Sequence, residues 1–132
     1  MDGKICSLIT NKIMKLVKQL DYKTFENIIV SATESGSFWQ YFVYDFSLMT
    51  DRYLTQNVND IAKYLWHDES AELMIDTNGQ EYIVTYDSVR ENMQLAYEKY
   101  EYHVNQFLKG QGDSTNADVI FQLLVTGGVN YG

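Results

Sequence analysis

Ala71-Glu72-Leu73-Met74-Ile75-Asp76, then Asn78-Gly79, then Gln80-Glu81-Tyr82-Ile83-Val84-Thr85 decide the fold class. Both outer runs are strand-like. Asn-Gly is the pair that two-residue hairpin loops favour, because both central positions of a type I′ turn need positive φ. The stretch therefore predicts an antiparallel hairpin over 71–85. Thr85 is a natural N-cap for a helix starting directly after the hairpin. From there Val89, Met93, Ala96, Tyr97, Tyr100, Val104 and Phe107 recur at helical spacing, which predicts one long helix over 86–108.

Working outward, Gly110-Gln111-Gly112-Asp113-Ser114 breaks the pattern, and a last helix is expected over 116–126. Thr115 and Asp118 are spaced as its capping box, and Gly127 and Gly128 end it. Upstream, Val58, Ile61, Ala62 and Leu65 predict a short helix over 56–66, with Asn57 or Thr55 as cap. Phe25, Ile28, Ile29 and Ala32 predict another over 24–35, capped by Thr24 and stopped by Gly36. Ile5, Ile9, Ile13, Leu16, Val17 and Leu20 predict a first helix over 4–20. The aromatic run over 37–46 favours a strand by composition, though its near-continuous hydrophobicity also fits a helix. As a strand it would be central and covered on both faces. The order is α+β: several helices packed on a small antiparallel sheet containing the 71–85 hairpin. At 132 residues, two halves would each bury too little, so one domain over 1–132 is expected.

Charge divides that domain. Residues 1–23 carry five lysines against two aspartates, a basic N-terminal helix of net charge +3, whereas 24–132 is an acidic body of net charge −11. On the long helix, 100° per residue gathers Asp87, Glu91, Glu98 and Glu101 on one face, opposite the apolar stripe. Such a face is either solvated or a surface that imitates nucleic-acid phosphates in a basic groove. A whole-chain charge of −8 argues against direct nucleic-acid binding, which needs clustered Lys and Arg.

Catalytic and metal signatures are weak. Cys6 is the single cysteine, which leaves no internal disulfide and favours a reducing compartment. His67, Asp68 and Glu69 are consecutive and cannot share a helix face, and neither they nor His103 has a second histidine at ligand spacing. A surface loop is expected at 67–69 and a half-buried structural role for His103. No signal peptide or apolar run of membrane-spanning length is present, so a cytoplasmic protein without metal, cofactor or membrane contact is expected.

Two further segments carry a resemblance. Asn27-Ile28-Ile29-Val30-Ser31-Ala32-Thr33-Glu34-Ser35-Gly36-Ser37-Phe38-Trp39 resembles a pattern of apolar helix, glycine-containing turn and aromatic pair. Asn116-Ala117-Asp118-Val119-Ile120-Phe121-Gln122-Leu123-Leu124-Val125-Thr126-Gly127-Gly128-Val129-Asn130-Tyr131-Gly132 resembles an Ala-Asp helix with a Gln that runs into a glycine turn ending Val-Tyr-Gly. Both are similar to segments of small acidic proteins of phages and mobile elements. That resemblance implies a mobile-element origin and, by analogy of class, an inhibitor of host defence of the anti-CRISPR or anti-restriction kind.

The expectation is a non-enzymatic inhibitor that binds a basic, nucleic-acid-handling protein of the host cell, such as a CRISPR effector, through Asp87, Glu91, Glu98 and Glu101. The alternatives are a small-molecule or nucleotide binder with a pocket lined by Trp39, Tyr41 and the long helix, or an assembly module that dimerises through 38–46.

Overall fold

The computed structural model describes residues 20–129. The chain runs α1 (Tyr22–Ser35), α2 (Ser37–Phe42), β1 (Val43–Met49), β2 (Leu54–Thr55), a 3-10 turn (Val58–Asp60), α3 (Ile61–His67), β3 (Glu72–Thr77), β4 (Gln80–Thr85), α4 (Tyr86–Lys99), α5 (Glu101–Leu108) and α6 (Ser114–Thr126). The strands lie in the order β2-β1-β3-β4, and every pairing is antiparallel. The fold is α+β, as the hairpin and the helical periods predict. The helix expected over 4–20, with Cys6, lies outside the described residues up to Leu20, which is buried.

α6 organises the helices. Asn116, Ala117, Ile120, Phe121, Gln122, Leu123, Leu124 and Val125 are all buried, so nearly every side of it needs a covering element. α1, α2, α4, α5 and β4 supply that cover. Its N-cap is Asp113, whose side chain accepts from the Asn116 amide at 2.9 Å while Asn116 returns a bond to the Asp113 amide. The capping box therefore sits two residues before the Thr115 that the spacing suggests. α1 likewise starts earlier than Thr24 implies, on Asp21, which accepts from the Thr24 amide at 2.8 Å. That bond holds the Asp21 carboxyl below its ordinary range.

The long helix predicted over 86–108 is broken. Tyr100, at φ −130° and ψ 43°, leaves helical geometry and separates α4 from α5. No proline or glycine marks the break in sequence. Both helices pack against α6, and the turn lets Val89, Met93 and Ala96 on one and Val104 and Phe107 on the other face the same core. A straight rod cannot follow that curve.

The aromatic run 37–46 divides between two states. Gly36 ends α1 with its amide bonded to the Ala32 carbonyl at 3.0 Å, and any Cβ there would collide with that carbonyl. Residues 37–42 form α2, and the strand begins only at Val43. The expectation of a central strand covered on both faces fails in part. Phe38 is fully buried, stacked on Phe42 and tilted against Phe121, whereas Phe42 is 37% exposed and Tyr41 and Tyr44 are 74% and 68% exposed. β1 is central in the sheet but covered on one face only, with Phe46 and Leu48 turned toward the core.

The hairpin forms in the predicted register, Thr77 opposite Gln80. Only Gly79 takes positive φ (90°), so the turn is not type I′; positive φ at the second central position alone is the requirement of a type II turn.

Burial assigns the energetics of the aromatic run. Phe38→Ala should cost about 3–5 kcal/mol, and Phe42→Ala distinctly less, in chemical denaturation of the two variants. Equal losses would contradict this division of the segment.

Candidate functional site

The predicted acidic face is placed on two helices rather than one. Asp87, Glu91 and Glu98 are exposed on α4, and Glu101 opens α5 beyond the break at Tyr100. Gln94 donates to Glu98 at 3.0 Å, and Asn105 to Glu101 at 3.5 Å. The four carboxylates do not form a single helical face. Asp87, Glu91 and Glu98 keep a common stripe, and Glu101 is re-aimed by the second helix.

A second acidic surface, which helical periodicity gives no means of seeing, lies on the sheet. Leu73, Ile75, Thr77, Leu48 and Val84 turn inward and leave the opposite face uncovered. On that face Asp45 stands opposite Asp76, and Asp76 opposite Glu81, so one row of three carboxylates crosses β1, β3 and β4. Glu72 lies further along β3, and none of the four strands carries a Lys or Arg. Like charges directly opposite one another destabilise a sheet. Only strand register creates this row, because its members are spread over 37 positions of sequence.

An aromatic corner forms separately, where α2 runs into β1. The register shifts between Val43 and Asp45, which leaves Tyr44 as an extra residue in β1, a bulge of the kind that re-aims a side chain. Tyr44, Tyr41 and Phe42 line an open cavity of about 330 Å³ together with Thr77 and Asn78. A pocket built from Trp39, Tyr41 and the long helix does not form. Trp39 turns to Phe46 and Phe121, at ring-centroid distances of 5.0 and 5.7 Å, while Tyr41 stays outside.

The cations are differently placed. Among the described residues the one ion pair joins Lys23 to Glu26 at 3.0 Å, on the exposed side of α1. Arg90 forms no ion pair with a carboxylate among them. Its guanidinium donates to the carbonyls of Tyr86 and Trp66 at 3.0 and 2.9 Å and lies 3.4 Å from the centroid of the Tyr86 ring.

The remaining polar candidates serve the fold. His67 ends α3 rather than lying in a loop, with its ring 4.8 Å from that of Tyr22. His103 is half-buried, and its Nδ1 lies 2.9 Å from the Asn116 amide nitrogen. Asp68 accepts from the Ser70 hydroxyl and amide, which lowers its carboxyl below the ordinary range. A polar cleft of about 270 Å³ is lined by Ser37, Ser114, Thr115, Asp118 and Gln122, among others. Both oxygens of Asp118 are engaged there: one accepts from the Phe38 amide at 2.7 Å and the other from Gln122 at 3.0 Å. Among the described residues no group of three or more His, Cys, Asp or Glu is arranged to hold a metal, and no helix is long and apolar enough to cross a membrane.

Comparison with known protein families, curated proteins and solved structures finds no match for this chain.

Asp118 supplies the N-terminus of α2 with the cap that Gly36 lacks. Asp118→Ala should therefore lower stability by about 1–2 kcal/mol. Amide exchange at Phe38 should accelerate in the same variant, and an unchanged rate would refute the capping role.

Proposed function

We propose that the protein is a binding inhibitor whose acidic surface occupies the basic groove of a nucleic-acid-handling host protein, of the CRISPR-effector kind. One observation carries the reading. Residues 24–132 hold sixteen carboxylates against five cations, yet among the described residues a single ion pair forms. Charge that is not neutralised within a fold projects a field into solvent. Such a field accelerates encounter with an opposite surface and selects against acidic partners.

The cost of holding this charge is self-repulsion, which salt should relieve. Between about 0.01 M and about 1 M sodium chloride the Debye length contracts from ~30 to ~3 Å. The melting temperature should rise over that interval while binding of a basic partner weakens.

The α4 stripe provides the substitution test. Glu91→Lys combined with Glu98→Lys should weaken binding of a purified CRISPR effector by about 1 kcal/mol or more per paired site. Titration by calorimetry at low salt measures it. Binding that survives both reversals and ignores salt would end the acidic-surface reading.

A further inference from the structure

We propose that the outer edge of β4 takes up an extended segment of a basic polypeptide as an added strand of the sheet. The inference rests on the acidic-surface reading and names how one part of that surface holds its partner.

Backbone geometry defines the edge. The sheet order ends in β4, whose strand partner is β3 alone. Opposed residues of an antiparallel pair alternate between bonded and non-bonded positions. Thr77 and Gln80 flank the two-residue turn as a bonded pair, so Ile75 with Tyr82 and Leu73 with Val84 are bonded too. Glu81 and Ile83 therefore turn their amides and carbonyls away from β3. Thr85 has the same sense, since its amide donates to the Ser88 hydroxyl at 2.8 Å rather than to β3. Among the described residues nothing bonds the outward backbone groups of Glu81 and Ile83.

The two edges of the sheet are not alike. β2 is two residues long and offers little to pair with. β4 is six residues long and has no Lys, Pro or bulge, the devices that guard an exposed edge. Ile83 stands 57% exposed on it. An edge of this kind is what strand addition uses: main-chain bonds hold the segment and alternate side chains select it.

Charge selects the occupant. Glu81 ends the row Asp45, Asp76 and Glu81 at this edge. The residue of an added strand opposite Glu81 becomes the next member of that row, with Cβ atoms about 4.5–5.5 Å apart. Lys or Arg there relieves the repulsion, whereas Asp or Glu would extend it. In an antiparallel segment the position opposite Ile83 comes two residues earlier and suits an apolar side chain. The segment therefore reads apolar, any, cationic. A second copy fits less well. The register that sets Glu81 opposite the Ile83 of a twin brings no cation to the row, and it joins two chains of net charge −8.

The test titrates the full chain at low salt with the end-blocked peptide Thr-Val-Thr-Lys-Thr-Lys, followed by calorimetry and amide exchange. Its Val falls opposite Ile83 and its first Lys opposite Glu81. The expected result is binding that slows exchange at the Glu81 and Ile83 amides roughly tenfold or more, with less change at Tyr82 and Val84, which β3 already bonds. N-methylation of the Val and first Lys amides, which face β4, should abolish binding. N-methylation of the two Thr amides that follow them, which face away, should leave it. The same peptide with Glu for Lys should not bind. Ile83→Pro removes an amide that the ladder does not use and should weaken binding roughly tenfold. Ile83→Lys, a guard of the kind that natural edges carry, should weaken it with the fold kept, checked by circular dichroism. The methylated peptides need no variant to fold.

Binding that leaves Glu81 and Ile83 unprotected, ignores methylation and is lost only on Glu91→Lys with Glu98→Lys would overturn the edge while leaving the acidic-surface reading intact. No binding of the peptide, with a purified CRISPR effector still bound through those two glutamates, would do the same. Failure of both peptide and effector to bind would overturn both. A dimer that Ile83→Pro converts to monomer in sedimentation, or protection of Glu81 and Ile83 in the unbound monomeric chain, would give the edge to another segment of this chain and overturn the proposal.

Discussion

A helix that is apolar around nearly its whole circumference cannot sit at a surface, and α6 is such a helix. Its burial sets the arrangement of the other elements. α1, α4 and α5 wrap it, α2 and β4 close its remaining sides, and the chain bends at Tyr100 because one straight helix cannot follow that curve. The short helix α2 depends on α6 directly. Its first turn is capped by Asp118, a residue 80 positions away, and Phe38 is seated near Phe121.

Enclosing α6 uses the helices on one side of the sheet and leaves the other side open. The open face is where local rules are broken. Three carboxylates stand in register, no strand residue is cationic, and β1 carries a bulge at Tyr44. A sheet selected for stability alone would place opposite charges or β-branched residues at those positions. Departures of this kind concentrate at functional surfaces. The proposed role rests on them together with the acidic stripe on α4, and both surfaces act through charge that the fold itself does not neutralise.

Much of the architecture is legible in the sequence where the signal is local. The Asn78-Gly79 turn and its flanking runs give the hairpin in the correct register, though the turn type differs because Asn78 does not take positive φ. The stripe Phe25, Ile28, Ile29 and Ala32 is buried as its spacing requires, and Gly127 ends α6 in the left-handed conformation. Two caps lie two or three residues from where spacing puts them. Asp21 and Asp113 compete well with Thr24 and Thr115 as caps, and spacing alone does not rank them. Of the candidate site, the exposure of Asp87, Glu91 and Glu98 is legible, because helical periodicity fixes which residues share a face. The split at Glu101 is not.

The sequence by itself determined the α+β class, the hairpin, the helical faces and the total charge, since each depends on neighbours within a few residues or on composition alone. Only the tertiary structure decided that the long helix breaks at Tyr100, that aromatic residues 37–42 form a helix rather than a strand, and that Asp45, Asp76 and Glu81 share one row. These outcomes depend on elements far apart in the chain: the curvature of a core around α6, a carboxylate offered by a distant helix, and the register between strands. The physical reason is common to all three. A residue's local preference is worth a fraction of a kcal/mol to about one. Burial of a large side chain, at about 1.5–3 kcal/mol, outweighs it.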